Sequence, residues 1–198
     1  SDFEEMHRLS KVSKPDVAVI TNIGTCHLEN LGDRDGVFKA KTEMFDNVSD
    51  NPFIVLNGDD DKLINVKEVK GVKPVFFGVE TKQSVYVEKY KQMGVLGTEA
   101  RINYFGDSFD TVIPIPGYHM LYNALAATCI GIHFGMTFEQ IDKGIRKLKA
   151  IGGRNNIFKA KDMTIIDDCY NANPMSMKAS INVLAQADGR KVAILGDM

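Results

Sequence analysis

Three cysteines, Cys26, Cys129 and Cys169, are too few and too far apart to form a disulfide framework, and no C-x-x-C pair occurs among them. That excludes a small disulfide-stapled secreted domain and fits a reducing, cytoplasmic compartment. Asn47-Val48-Ser49 has the form of a glycosylation sequon, but nothing else in the sequence points to secretion, and it is read as chance. No apolar run approaches the roughly 18 residues of a membrane-spanning helix, and no signal peptide is present, so membrane insertion is not expected. Charge of one sign is missing too: 24 Lys and Arg against 26 Asp and Glu give a net charge of −2, which offers no basic surface for nucleic acid or anionic lipid. No G-x-G-x-x-G follows a strand, which argues against a dinucleotide site, and Gly-Lys-Thr and Gly-Lys-Ser do not occur anywhere.

What is present, 44% hydrophobic and 25% charged residues in 198, suits one globular domain with room for a small appended lobe. The chain opens at Ser1 in a polar helix-like run and stops at Met198 just after an apolar run, so both ends read as cut from a longer protein. Pro15 and Asp16 end the first helical run, and Val17 to Ile20 is a fully buried strand. After the loop TNIGTCHLENLGD, Asp33 caps a helix from Arg34 to about Asn47. Phe53 to Leu56 and Pro74 to Phe77 read as further buried strands, separated by NGDDDKLINV, a turn and short helix in which Asp59, Asp60 and Asp61 are expected in solvent at a helix N-terminus.

From Ser84 to Ile115 the pattern changes to period two, broken at Gly94, Gly97, Gly106 and Asp107, which predicts an inserted antiparallel meander. HMLYNALAATCIGIHF is a buried helix, and Thr137 opens a capping box ahead of a helix from Phe138 to Leu148. A hairpin around Lys161-Asp162 follows. Asn173 and Pro174 start a helix to about Ala187, and Lys191 to Leu195 reads as a last strand. Buried strands alternating with helices imply an α/β fold with a mainly parallel sheet, flanking helices and right-handed crossovers. Ligands of such sheets lie beyond the strand C-terminal ends, where TNIGTCH, NGDDD and DDCYNAN fall.

The helix after TNIGTCH carries the sharpest physical clue. At about 100° per residue, Val37, Phe38, Ala40, Met44 and Phe45 share one face, and Lys41 falls about 40° from Val37. Lys39 and Glu43 fall on the opposite, charged side. An unpaired ammonium on a buried stripe costs several kcal/mol. Lys41 therefore either snorkels or pairs with a carboxylate, or it is a desolvated, functional amine able to form a carbamate with carbon dioxide. A carbamate is an anionic oxygen ligand suited to Mg²⁺.

The motifs VITNIGTCHLENLG, AKTE, PGYHMLYNALAA, GGR and DDCYNANPMSM occur in the order and spacing of the central domain of the Mur ligases, and the resemblance covers almost the whole chain. DDCYNANP resembles the branch that joins D-alanyl-D-alanine to UDP-N-acetylmuramoyl-tripeptide; sister ligases and folylpolyglutamate synthase differ at this loop. The resemblance implies ATP-dependent amide formation in peptidoglycan precursor synthesis, with Mg²⁺, through an acyl phosphate attacked by the incoming amine.

It makes His27 a Mg²⁺ ligand and Lys41 a carbamylated lysine ligand. Asn123 would face adenine, Arg154 the γ-phosphate and Asp168 the ribose, with Asp167 as competitor; Asn171 and Asn173 would line the same loop. His27 could equally be a surface histidine, Asn123 a core asparagine, Arg154 a surface arginine and Asn173 only an N-cap. The family's phosphate loop ending in G-K-[ST], the Mg²⁺-binding glutamate expected just ahead of Ser1 and the family's C-terminal domain are absent from this sequence. The expectation is thus a truncated central ATP-binding domain, residues 1–198, of P-loop type but lacking the P-loop strand. It should be inactive alone and, where the full-length enzyme is a monomer, prone to self-association at an unpaired sheet edge. A sister ligase or a non-catalytic nucleotide-binding module is the alternative.

Overall fold

The computed structural model describes residues 2–196; Ser1 and the last two residues, where the expected domain span begins and ends, lie outside them. Helix α1 (Glu5–Ser13) stops ahead of Pro15, and β1 (Val17–Ile20) follows. The polar loop after β1 runs through a single turn, α2 (Leu28–Leu31), into α3 (Arg34–Thr42), whose Asp33 N-cap accepts the Gly36 N–H. The chain then tightens into a 3-10 helix, Glu43–Asn47, so α3 is shorter than predicted. Among the described residues only this first crossover is helical in substance. Strand β2 (Phe53–Asn57) reaches β3 (Val75–Gly78) past one 3-10 turn, Leu63–Asn65, and β3 reaches β4 (Val85–Gln92) through residues 79–84.

The expected antiparallel meander forms as β4 with β5 (Thr98–Tyr104) and β6 (Asp107–Ile113), and it adjoins the parallel strands. All six strands form one sheet in the order β1-β2-β3-β4-β5-β6. The first three pairings are parallel and the last two antiparallel. Strand β4 joins the halves: Phe77 and Gly78 pair with Val85 and Tyr86, while β4 pairs with β5 from Val85 to Gln92 around a bulge at Glu88. Buried Val85 and Val87 continue the apolar layer of β3, which is why the period-two segment extends the sheet instead of standing apart.

Alternate residues of β2 build two cores. Val55 faces Phe77, Ile102 and Ile113 under α4 (His119–His133) and α5 (Phe138–Ile145), with Leu121, Leu125, Ile141 and Ile145 closing that layer. Ile54 and Leu56 face Ile20, Val37, Ala40 and Leu63 on the α3 side. The predicted capping box is present, Thr137 accepting the Gln140 N–H and Gln140 accepting that of Thr137.

Strands β7 (Asn156–Ala160) and β8 (Met163–Asp167) form the expected hairpin as a separate two-stranded sheet, and α6 (Pro174–Ala185) starts at the Asn173 N-cap. The predicted strand from Lys191 to Leu195 does not form: the chain is irregular there, and Val192, Ile194 and Leu195 are exposed. An apolar run becomes a strand only when another strand takes up its N–H and C=O groups, and none does so among the described residues.

Candidate functional site

Because β1, β2 and β3 are parallel, the loops that follow them meet at one edge of the sheet. Three consecutive residues of the first loop are held by side chains from elsewhere. Asn57 Nδ2 donates to the Thr21 carbonyl at 2.9 Å and Lys41 Nζ to the Asn22 carbonyl at 2.8 Å. Asp60 Oδ2 accepts the Ile23 N–H at 2.7 Å, and Arg34 Nε donates to the Ile23 carbonyl at 3.0 Å.

The aspartates expected in solvent divide three ways. Asp60 has a side chain only 6% exposed and also accepts the N–H groups of Lys62 and Leu63. Asp59 accepts the N–H groups of Val79, Glu80 and Thr81 and the Tyr122 hydroxyl. Only Asp61 is exposed, paired with Arg34. Composition could not separate them; the available clue was that NGDDD directly follows a buried strand, at the edge where these sheets gather polar side chains.

The apolar stripe of α3 is as expected, with Val37 and Ala40 buried and Phe38, Met44 and Phe45 packed against the same core. Lys39 is exposed, its amine 5.5 Å from the Phe3 ring centre. Lys41 is partly buried and reaches the loop after β1. Burial lowers its pKa below the ordinary lysine value, against the opposing effect of Cys26 and Asp60 nearby. His27, five residues beyond Asn22 in that loop, is exposed and sits at φ 59° as N-cap of α2. Glu43 departs from the helical wheel: its Oε2 is buried without a hydrogen-bond partner among the described residues.

The remaining predicted residues come from α4 and the segment after it. Asn123 is exposed on α4, not a core asparagine, and its amide lies 3.4 Å from Met120 Sδ. The Arg154 guanidinium stacks 4.3 Å over the Tyr170 ring. Asp168 accepts the Asn155 N–H at 3.0 Å and the Ser180 hydroxyl, and its charge bears on His119 at the start of α4. Its neighbour Asp167 is engaged with the Cys169 thiol, which holds its carboxyl below the usual range. Asn171 folds onto the Ala172 N–H, while Asn173 forms a capping box with Ser176. Between the start of α4 and α6 lies a cleft of about 500 Å³ bordered by His119, Lys178 and Asn182.

Among the described residues no three of His, Cys, Asp and Glu stand close enough to hold a metal ion, and the Lys41 ammonium is a donor, not a ligand. The residues present therefore do not form a Mg²⁺ site by themselves. Among the same residues no helix is long and apolar enough to cross a membrane.

A mixed sheet between two helical layers, with bonded polar loops at the ends of its parallel strands, defines an α/β domain. The chain belongs to the Mur ligase middle domain family, which it matches over residues 1–131. It is 34% identical over 189 residues to UDP-N-acetylmuramoyl-tripeptide–D-alanyl-D-alanine ligase of Escherichia coli, covering 94% of this chain and 42% of that relative. The structure of MurF from Acinetobacter baumannii superposes with a TM-score of 0.89 at 31% identity, covering 96% of this chain and 42% of that one. MurF ligase from Thermotoga maritima in complex with ADP superposes with a TM-score of 0.83 at 30% identity, covering 96% and 44%. The chain thus spans under half the length of the relatives it matches.

Proposed function

We propose that this chain is the nucleotide-binding central part of an ATP-dependent amide ligase that joins D-alanyl-D-alanine to UDP-N-acetylmuramoyl-tripeptide, a cytoplasmic step of peptidoglycan precursor synthesis. One observation carries the reading: the 34% identity to the Escherichia coli enzyme of that name extends over 94% of the chain, well past the family match that ends at residue 131. ATP would phosphorylate the tripeptide carboxylate, and the amine of D-alanyl-D-alanine would displace the phosphate to form the amide.

The chain's own residues bind and orient. Asn123, exposed on α4, faces the adenine. Asp168, braced by Asn155 and Ser180, faces the ribose, and Arg154, stacked on Tyr170, faces the outer phosphate. Asn171 and Asn173 shape the loop between them. Arg154 offers planar paired donors to a phosphate, and the Tyr170 ring restricts where they point. With further ligands supplied in the full-length ligase, His27 and Lys41 would hold Mg²⁺, Lys41 as its carbamate, in which form the amine donor would become an anionic oxygen ligand. Bound Mg²⁺ would neutralise phosphate charge.

A substrate panel on a full-length ligase carrying this chain tests the reading. ADP should appear with UDP-N-acetylmuramoyl-tripeptide and D-alanyl-D-alanine, and not with a folate and glutamate. Turnover with the folate pair would make it a folylpolyglutamate synthase, and ATP binding without turnover on either pair a non-catalytic module.

A further inference from the structure

The start of α4 is poorly defined by its own sequence. Tyr118 at the N-cap makes no side-chain capping bond, and Gly117 before it sits at φ +117°, a conformation that favours glycine and brings no capping side chain. Further along, Leu121, Ala124, Leu125 and Cys129 bury the helix in the core, but apolar packing is non-directional and does not fix the height and rotation of the first turn.

Two tyrosines one turn apart supply what is missing. Tyr122 donates its hydroxyl to Asp59 Oδ2 at 3.0 Å, and Tyr118 donates to Glu80. Asp59 lies in the loop after β2 and Glu80 in the loop after β3. Asp59 also accepts the N–H groups of Val79 at 2.6 Å, Glu80 at 2.9 Å and Thr81 at 3.0 Å. One carboxylate therefore ties two strand-end loops to the helix. The Tyr118 ring meets Tyr90 of β4 edge-on at 5.6 Å and Tyr122 at 5.9 Å. Burial, reinforced by Asp59 and Glu80, holds both phenols above the ordinary tyrosine pKa, so both stay protonated donors at neutral pH.

We propose that Tyr118 and Tyr122, anchored on Glu80 and Asp59, are positioning residues that set the first turn of α4 and thereby aim Asn123 at the purine base of the bound nucleotide. The nucleotide is that of the function proposed above. Asn123 is the next residue after Tyr122, about 100° further round the helix, so any slip of the turn moves its amide directly.

The test uses a full-length ligase carrying this chain, with Tyr118→Phe and Tyr122→Phe singly and together, Asn123→Ala, and the triple variant. ATP affinity is read by calorimetry beside KM and kcat. The paired Tyr variant should bind ATP roughly tenfold more weakly and raise the KM for ATP, leaving the KM for D-alanyl-D-alanine unchanged. Adding Asn123→Ala should weaken binding no further than Asn123→Ala alone, because the tyrosines act through that side chain. Unchanged ATP affinity, or losses that multiply in the triple variant, would overturn the proposal. Hydrogen exchange of the amides of residues 118–123 reads the clamp without nucleotide. Faster exchange in the paired variant is expected, and exchange as slow as in the wild type would overturn the proposal even if the ligase reading had failed for want of any ATP binding.

Discussion

Asp60→Asn separates a buried structural carboxylate from a solvated one. Asp60 serves three N–H groups: Ile23 at 2.7 Å through Oδ2, and Lys62 at 3.0 Å and Leu63 at 3.1 Å through Oδ1. Asparagine has the same shape and can keep its oxygen toward Lys62 and Leu63, but its NH₂ then faces the Ile23 N–H, donor against donor. Ile23 is itself buried, so that N–H has no water to turn to. An unsatisfied buried donor costs about 1–3 kcal/mol. Removing the charge that stands 3.8 Å from Arg34 acts in the same direction, so the loss should lie at the upper end of that span. Asp61→Asn is the control: that carboxylate is exposed and pairs with Arg34 at the surface, so its loss should not be separable from wild type. The chain has no tryptophan, so far-UV circular dichroism during urea unfolding is the suitable assay. Equal destabilisation by the two substitutions, or none from Asp60→Asn, would refute the assignment of Asp60 as the buried anchor of the loop after β1.

Three further outcomes are expected. Cys129 is fully buried and its thiol is pushed up to about 12, so in the native chain a thiol reagent should label the exposed Cys26 and Cys169 and reach Cys129 only after unfolding; native labelling of all three would contradict the packing of α4. Leu125→Ala should cost about 2–5 kcal/mol, since Leu125 has no exposed surface between α4 and the sheet; the midpoint of urea unfolding measures it. Asp59 sits below its ordinary value of 3.8: burial raises it, but the donors from Thr81, Glu80, Val79 and Tyr122 together outweigh burial. Its ionised form therefore adds stability that is complete above about pH 4 and fades as pH falls through the lower folded value. The stability gap between wild type and Asp59→Asn should narrow over that acid range, and a gap independent of pH would be the wrong result.

Local signals in the sequence were largely sufficient for the elements themselves. The strands β1, β2 and β3, the Thr137 and Asn173 caps and the β7–β8 hairpin each depend on a few neighbouring residues and form where expected, although β1 alternates half-buried with buried residues instead of being buried throughout. What depended on distant partners was not legible. The fusion of the meander to the parallel sheet is decided by the short pairing of Phe77 and Gly78 with β4, which no period-two pattern encodes. The run from Lys191 to Leu195 has strand composition but no strand beside it. At the candidate site the same division holds. Lys41 stood out because it breaks an apolar stripe. Asp59, Asp60, Tyr118 and Tyr122 did not, because acids in a turn and aromatics on a buried helix look ordinary until the loops after β2 and β3 are brought together.

The most direct measurement is ADP release by a full-length ligase carrying this chain, with Lys41 intact and with Lys41→Ala. With ATP, UDP-N-acetylmuramoyl-tripeptide and D-alanyl-D-alanine all present, the intact protein should release ADP and form the amide. Lys41→Ala should lose on the order of 10²-fold or more in turnover, the scale for removing one group that stabilises developing charge. Its folding midpoint should barely move, and a short-chain carboxylic acid should restore part of the rate. Turnover undiminished in Lys41→Ala, or no amide from the intact protein with these substrates, would contradict it.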